Sequence, residues 1–462
     1  MPDALNLGPA GSPGTEVSLE QDGSVIRRSV LPGGIRVLSE AMPAQRSATV
    51  GAWVAVGSRD ETDAHHGSTH FLEHLLFKGT ARRSALDIAE TFDAVGGEAN
   101  AATGKEHTCY YARVLDADVP MAVDVIADMV TSSVLDPVEF ETERDVILEE
   151  LAMAGDDPVD VVHEHFAAAV LDPHPLGRPI GGTPETIRAV PREAVLEHYA
   201  RTYTPSELVV TASGSVDHDA LCAQVLAAVE SGGWALDPAA VPVARRRAGG
   251  GVPGGGAAVV PAPELLPGAG QAVTVHRTTE QANVILGCEG LIAADERRYV
   301  LSVLMTALGG GMSSRLFQEI RERRGLAYST YAFASSHAEA GVVGLYAGCA
   351  PGKTRQVVDL LAAEWERIAA EPMGEAELTR SIGQLSGNVV LGLEDTGSRM
   401  SRLGRAEIVH GELTGIDETL ELIRSVTAAQ VQELAAELVA RPRSLVVVGP
   451  FDHDIAAEAL GA

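Results

Sequence analysis

No stretch of 18 or more apolar residues occurs in the 462-residue chain, so no membrane-spanning helix is expected. Cysteine is scarce: Cys109, Cys222, Cys288 and Cys349 are widely spaced and form no C-x-x-C pair. That argues against a disulfide framework, and the four read as reduced, mostly buried thiols of a cytoplasmic protein. Positive charge is also in deficit, with 35 Lys and Arg against 64 Asp and Glu and a net charge of −29. Phosphate binding needs basic stripes, so nucleic acid is excluded as the expected partner. The acidity serves solubility, or lines a chamber that attracts basic peptides. The start, Met1 to Gly8, lacks both the apolar stretch of a secretory leader and the Arg-rich character of a transit peptide.

What is present begins with His70-Phe-Leu-Glu-His74. On a helix, His70 and His74 lie one turn apart on one face, where two imidazoles can share one Zn²⁺. Glu73 is on the same side of the turn and can reach a water there without being a ligand. A Lewis acid with an adjacent base is the grouping a zinc peptidase needs. The order H-x-x-E-H reverses the commoner H-E-x-x-H. Phe71, Leu72, Leu75, Leu76 and Phe77 make the helix apolar on most sides, hence largely buried. Buried imidazoles need partners, and a metal supplies one.

A catalytic zinc takes three protein ligands and keeps one position open. The third is expected from Asp136 to Met153, which reads as a helix with Asp136 at its N-cap and Pro137 in its first turn. Glu143 and Glu150 are seven residues apart and share a face. Glu150 is assigned as the third ligand and Glu143 as a carboxylate that holds an imidazole or a water. Glu149 points about 100° away and is expected in solvent.

Length alone implies two domains. Residues 1–24, rich in Gly, Pro and acids, read as a flexible tail, and residues 25–236 as a zinc-binding domain. Ser24 to Ala41 reads as two strands turning at Leu31-Pro-Gly-Gly34. Residues 237–270, with their Gly and Pro runs, read as a linker, and 271–462 as a second domain. Val216-Asp-His-Asp219 returns as Phe451-Asp-His-Asp454, each after a Val-rich strand, so the second domain repeats the first. The zinc group is not repeated: Tyr299 to Gly311 has no His or carboxylate.

With these motifs together, the chain resembles the pitrilysin-type inverzincin peptidases, among them bacterial processing-peptidase-like proteins and the beta subunit of mitochondrial processing peptidase. The match comprises His70, Glu73, His74, Glu143 and Glu150, together with Leu31 to Val37, Asn100 to Thr103 and the Gly309 to Ser329 stretch. The resemblance implies an α+β protein of two homologous domains, each a mainly antiparallel sheet with helices packed on one face. It implies zinc-dependent endopeptidase cleavage of peptides or unfolded segments, with Glu73 as base. Non-catalytic peptide-binding or structural subunits of the same family are the alternative. It further implies that the strand of Asn100, Ala101 and Thr103 receives substrate as an added strand. Arg321 and Tyr328 are expected to bind substrate, delivered across the interface of a homodimer or of a heterodimer with a paralogue.

Overall fold

The computed structural model describes residues 4–7, 11–21, 23–244 and 270–461. In chain order the strands are β1 (Ala4–Asn6), β2 (Glu16–Gln21), β3 (Ser24–Val30), β4 (Arg36–Ala41), β5 (Ser47–Val54), β6 (Glu98–Thr103) and β7 (Thr108–Leu115). They continue with β8 (Leu208–Gly214), β9 (Ala272–His276), β10 (Ala282–Glu289), β11 (Ala327–Ser336), β12 (Gly341–Cys349), β13 (Glu412–Thr414) and β14 (Ser444–Gly449).

The first sheet runs β2-β3-β4-β8-β5-β7-β6, and the second β9-β14-β10-β12-β11. The second order repeats the first from β4 onward. Even the single parallel pair recurs, β4 with β8 and β9 with β14. The protein is therefore an α+β molecule of two like halves. β8 and β14 are central, and all their residues are buried, which is why both are continuous apolar runs. Each half has its own apolar core between its sheet and its helices.

The other face of each sheet is covered by a helix from the opposite half. Pro158–Leu171, from the first half, lays Val162, Phe166 and Val170 against Ile285, Val446 and Val448 of the second sheet. Thr396–Arg405, from the second half, lays Met400 and Leu403 against Leu38, Trp53 and Val209 of the first. Close approach needs missing side chains. A Cβ on Gly51 would stand 2.5 Å from Met400 Sδ, and one on Gly404 would stand 2.4 Å from the Trp53 ring. The exchange adds to the expected helices-on-one-face arrangement a second layer that neither half supplies for itself.

Ion pairs also join the halves. Arg28 and Glu407 pair at 2.8 Å with side chains 2% and 0% exposed. Arg59 pairs with Glu106 at 2.6 Å and with Glu339 at 2.5 Å, while His337 and His174 approach the same two carboxylates.

The expected flexible tail differs from what is observed. Glu16–Gln21 pairs with β3, and Ala4–Asn6 pairs antiparallel with β13 of the second half. Alternation in Glu-Val-Ser-Leu-Glu-Gln puts Val17 and Leu19 against the apolar layer of Thr396–Arg405, which offsets the ordering entropy that polar composition alone suggested would prevail. Of the expected linker, residues 245–269 lie outside the described residues.

Candidate metal centre

The H-x-x-E-H stretch lies on the helix Ser68–Leu76, buried through Phe71, Leu72, Leu75 and Leu76. Its start is fixed by Gly67 at φ 90°, where a Cβ would stand 2.4 Å from Ile187 Cδ1. Glu61 holds the same end: its carboxylate accepts from the backbone N–H of Gly67 at 2.8 Å and of Thr69 at 2.7 Å. An anion at a helix N-terminus satisfies free N–H groups and meets the positive end of the dipole. Burial nevertheless pushes the Glu61 carboxyl up to about 7. Sequence reading missed Glu61; the signal was an acid a few residues ahead of a helix with no side-chain cap.

The second helix, Pro137–Asp156, is capped by Asp136, whose carboxylate accepts from Val138 and Glu139. The two helices are clamped by Phe71 stacked on Phe140, with ring centroids 4.3 Å apart at 9°, and by the Arg144 guanidinium over both rings. This packing brings the separated site residues together.

His74 Nε2 lies 3.3 Å from Glu150 Oε2, and His70 Nε2 lies 3.7 Å from the same oxygen. Ligand atoms of His70, His74 and Glu150 all fall within 4.8 Å of one another, the one such cluster among the described residues. His74 Nδ1 donates to Glu143 Oε2 at 2.9 Å. Because a carboxylate only accepts, the proton is on Nδ1 and the lone pair on Nε2. Burial and the neighbouring His74 push the His70 imidazole below its usual pKa. Two imidazole nitrogens and a carboxylate oxygen thus face one another, a donor set that a cation between them would satisfy. Two imidazoles and one carboxylate suit Zn²⁺, whose bonds of about 2.0–2.2 Å set tetrahedral donors roughly 3.4 Å apart. The residues present fit the metal.

Glu143 is buried, and its second oxygen is 2.6 Å from Lys78 Nζ. Lys78, one turn beyond His74, was also missed, although the i,i+4 spacing points to it. The Nδ1 of His70 is buried without a protein partner; a Cβ on Gly181 would stand 3.7 Å away. Glu73 sits between its two histidines and accepts a hydrogen bond from the Thr103 hydroxyl.

Thr103 ends β6, the edge strand of the first sheet. Ala99 and Ala101 turn toward the first core, whereas Asn100 is exposed. Asn100 Oδ1 accepts from the Ala101 N–H at 2.8 Å, in place of a strand neighbour. His65, His66 and His107 do not join the cluster: His66 contacts Arg178, His65 contacts Thr62, and His107 packs on Trp53. Arg321 and Tyr328 are in the second half. The Arg321 guanidinium lies 4.7 Å from the Tyr328 ring centroid and donates to the Tyr328 carbonyl at 3.1 Å. Tyr328 is 76% exposed, and the pair's recorded contacts include none of the metal-cluster residues.

Residues 36–184 match the family described as insulinase (peptidase family M16), and residues 189–385 the peptidase M16 inactive domain. A relative from Streptomyces coelicolor, named an uncharacterized zinc protease, is 48% identical over 426 residues, covering 92% of this chain and 90% of the relative. One of the same description from Bacillus subtilis is 36% identical over 429 residues, covering 92% and 98%. Among solved structures, a peptidase M16 inactive domain from Pseudomonas fluorescens matches with TM-score 0.79 at 18% identity, covering 92% of this chain and 98% of that one. A protease from Helicobacter pylori matches with TM-score 0.77 at 20% identity, covering 94% and 99%. With both halves matched, and with relatives of this similarity aligned over nearly its whole length, the protein belongs to peptidase family M16, the insulinase family.

Proposed function

We propose that the protein is a zinc-dependent endopeptidase acting on peptides or unfolded segments. The observation that carries the reading is the convergence of His70, His74 and Glu150, with Glu73 beside them. His70, His74 and Glu150 would hold Zn²⁺, which would supply a Lewis acid and lower the pKa of a coordinated water to about 7. Glu73 takes the proton from the attacking water and returns it to the leaving amine. The Thr103 hydroxyl holds one Glu73 oxygen, leaving the other free for that exchange. Glu143 keeps the His74 proton on Nδ1, so that Nε2 remains a donor atom.

Substrate lies as an added strand along β6, held by main-chain bonds regardless of its sequence. Asn100 covers the Ala101 N–H until a peptide arrives. Arg321 and Tyr328 act in the metal site of a partner copy, where Arg321 holds a peptide carbonyl and the Tyr328 hydroxyl stabilises the oxyanion. The exposure of Tyr328, and the absence of metal-cluster residues from the pair's contacts among the described residues, support a homodimer or a paralogous heterodimer. A cytoplasmic location is part of the proposal, supported by four free cysteines. No helix among the described residues is long and apolar enough to cross a membrane.

The test is cleavage of an unstructured, Arg-containing, fluorescence-quenched peptide by wild type and Glu73→Gln, with zinc quantified in both. Cleavage by wild type alone, with zinc in both, supports the reading. Zinc in both with cleavage by neither would favour a non-catalytic subunit, and zinc in neither would overturn the site.

A further inference from the structure

The far face of the first sheet, opposite the metal helix, bounds a cavity of about 970 Å³ at the seam between the halves. Trp53, Ala102 and Tyr111 line it from the first sheet, and Arg298, Arg402 and Arg405 from the second half. Thr103 and Gly104, at the end of β6, also border it. The cavity therefore adjoins the strand that carries the contact to Glu73.

Its charges do not cancel. Glu412 is matched by Arg298 at 3.1 Å, and Asp395 by Arg113 at 3.6 Å. Arg402 donates to the Thr414 carbonyl and pairs with no carboxylate among the described residues. The Arg405 side chain is exposed and has neither an ion pair nor a hydrogen bond among the described residues. Nearby His107 is pushed down to about 4, by burial first and then by Arg405. The lining carries three guanidiniums, Arg298, Arg402 and Arg405, against two carboxylates, Asp395 and Glu412, so its sign is positive. In a chain of net charge −29, an exposed guanidinium without a carboxylate partner at the rim of an apolar cavity attracts an anion.

Strand geometry says which anion can reach it. A peptide paired to β6 continues the pleat, and its side chains alternate between the two faces of the sheet. Residues level with Ala101 and Thr103 turn toward the metal helix. Those level with Ala102 turn toward the cavity. We propose that this cavity is a specificity site for a carboxylate of the bound peptide, read by Arg405 with Arg402 behind it. The proposal rests on the peptidase reading for the position of the peptide. The carboxylate is an Asp or Glu side chain or the peptide's C-terminus.

The experiment compares unstructured quenched peptides that carry Glu or Gln at each successive position, with free or amidated C-termini. Wild type is expected to favour Glu over Gln by about tenfold or more in kcat/KM, at positions of one alternating parity, as charge-assisted pairing implies. The ratio falls to about one in Arg405→Gln and below one in Arg405→Glu. If the preference follows the free C-terminus instead, the terminal carboxylate is the ligand. A parallel anisotropy titration on Glu73→Gln protein reads the same ratios in binding, without turnover. Cleavage with no acid preference, or with a preference that survives Arg405→Gln, overturns the specificity site and leaves the peptidase reading intact. No cleavage, with an Arg405-dependent Glu-over-Gln ratio in binding, does the reverse.

Discussion

The imidazole of His74 donates from Nδ1 to Oε2 of Glu143 at 2.9 Å, across two helices 69 residues apart in sequence. That bond orients the ring so that Nε2 faces Glu150. Replacing Glu143 by Ala removes the orienting acceptor and the partner of Lys78. Zinc affinity, measured by competition with a chromogenic chelator, is expected to fall by about 10- to 100-fold, as for other groups that hold metal ligands. An unchanged affinity would mean that Glu143 is a structural ion-pair partner only.

In the proposed mechanism Glu73 exchanges protons rather than binding metal. Glu73→Gln keeps the shape and the acceptor for Thr103 but cannot take a proton. Its kcat is expected to drop by at least about 10²- to 10⁴-fold with the zinc content retained. Loss of zinc in this variant would instead make Glu73 part of the ligand set.

If Arg321 and Tyr328 serve a partner's site, two inactive variants complement each other. Glu73→Gln and Arg321→Ala homodimers each lack one half of every site. A heterodimer of the two regains one complete site of its pair. An equal mixture, after subunit exchange, is expected to recover about a quarter of wild-type activity, by the statistics of a symmetric dimer. A mixture no more active than its components would place Arg321 in its own chain's site or outside any site. Light scattering of the wild type provides the independent check on the dimer.

Acid is expected to loosen the seam between the halves. Burial pushes the Glu106 carboxyl up, but the nearby His337 and the Arg59 guanidinium outweigh it and hold it at about 2. Hydrogen bonding with His174, against burial and with help from Arg59, holds Glu339 at about 2 as well. Both folded values lie below the unfolded range of about 4.3. The stabilisation is therefore present above pH ~4.3 and is lost as the pH falls toward ~2. Thermal melts across that window should show a steeper loss in wild type than in Glu339→Gln. Equal slopes would exclude Glu339 from the coupling.

Gly404 provides a test of the exchanged helices. In an exposed helix, Gly→Ala stabilises by about 1 kcal/mol. Here the added Cβ would stand 2.4 Å from the Trp53 ring, and overpacking typically costs about 1–3 kcal/mol. Gly404→Ala is expected to lower Tm despite its better helix propensity. A raised Tm would show that this helix does not sit tightly on the first sheet.

Much of the local architecture was legible in the residues. The turn at Leu31 to Gly34 and the cap at Asp136 follow from short-range rules of turn chemistry and capping. The duplication was legible in the repeated Asp-His-Asp, and the order of the two sheets extends it. The strand at Glu16–Gln21 was not legible. Its polar composition argues for disorder, and its stability comes from β3 and from a helix nearly 400 residues later in the chain. Lys78 and Glu61 were within reach of helix spacing and capping rules but carry no motif of their own.

What the sequence by itself determined is the chemistry on offer: which residue types suited to holding a metal or moving a proton are present, at what spacing, and in which half. Those properties depend on residue type and on spacing within one helix, where geometry is set by neighbours a few positions away. What only the tertiary structure decided is which distant groups meet. The Phe71–Phe140 stack brings Glu143 to His74, the end of β6 brings Thr103 to Glu73, and the exchanged helices create the seam with its Arg405-lined cavity. Such contacts depend on how apolar faces choose one another across the whole molecule. Burial is non-directional, so no local pattern announces its partner.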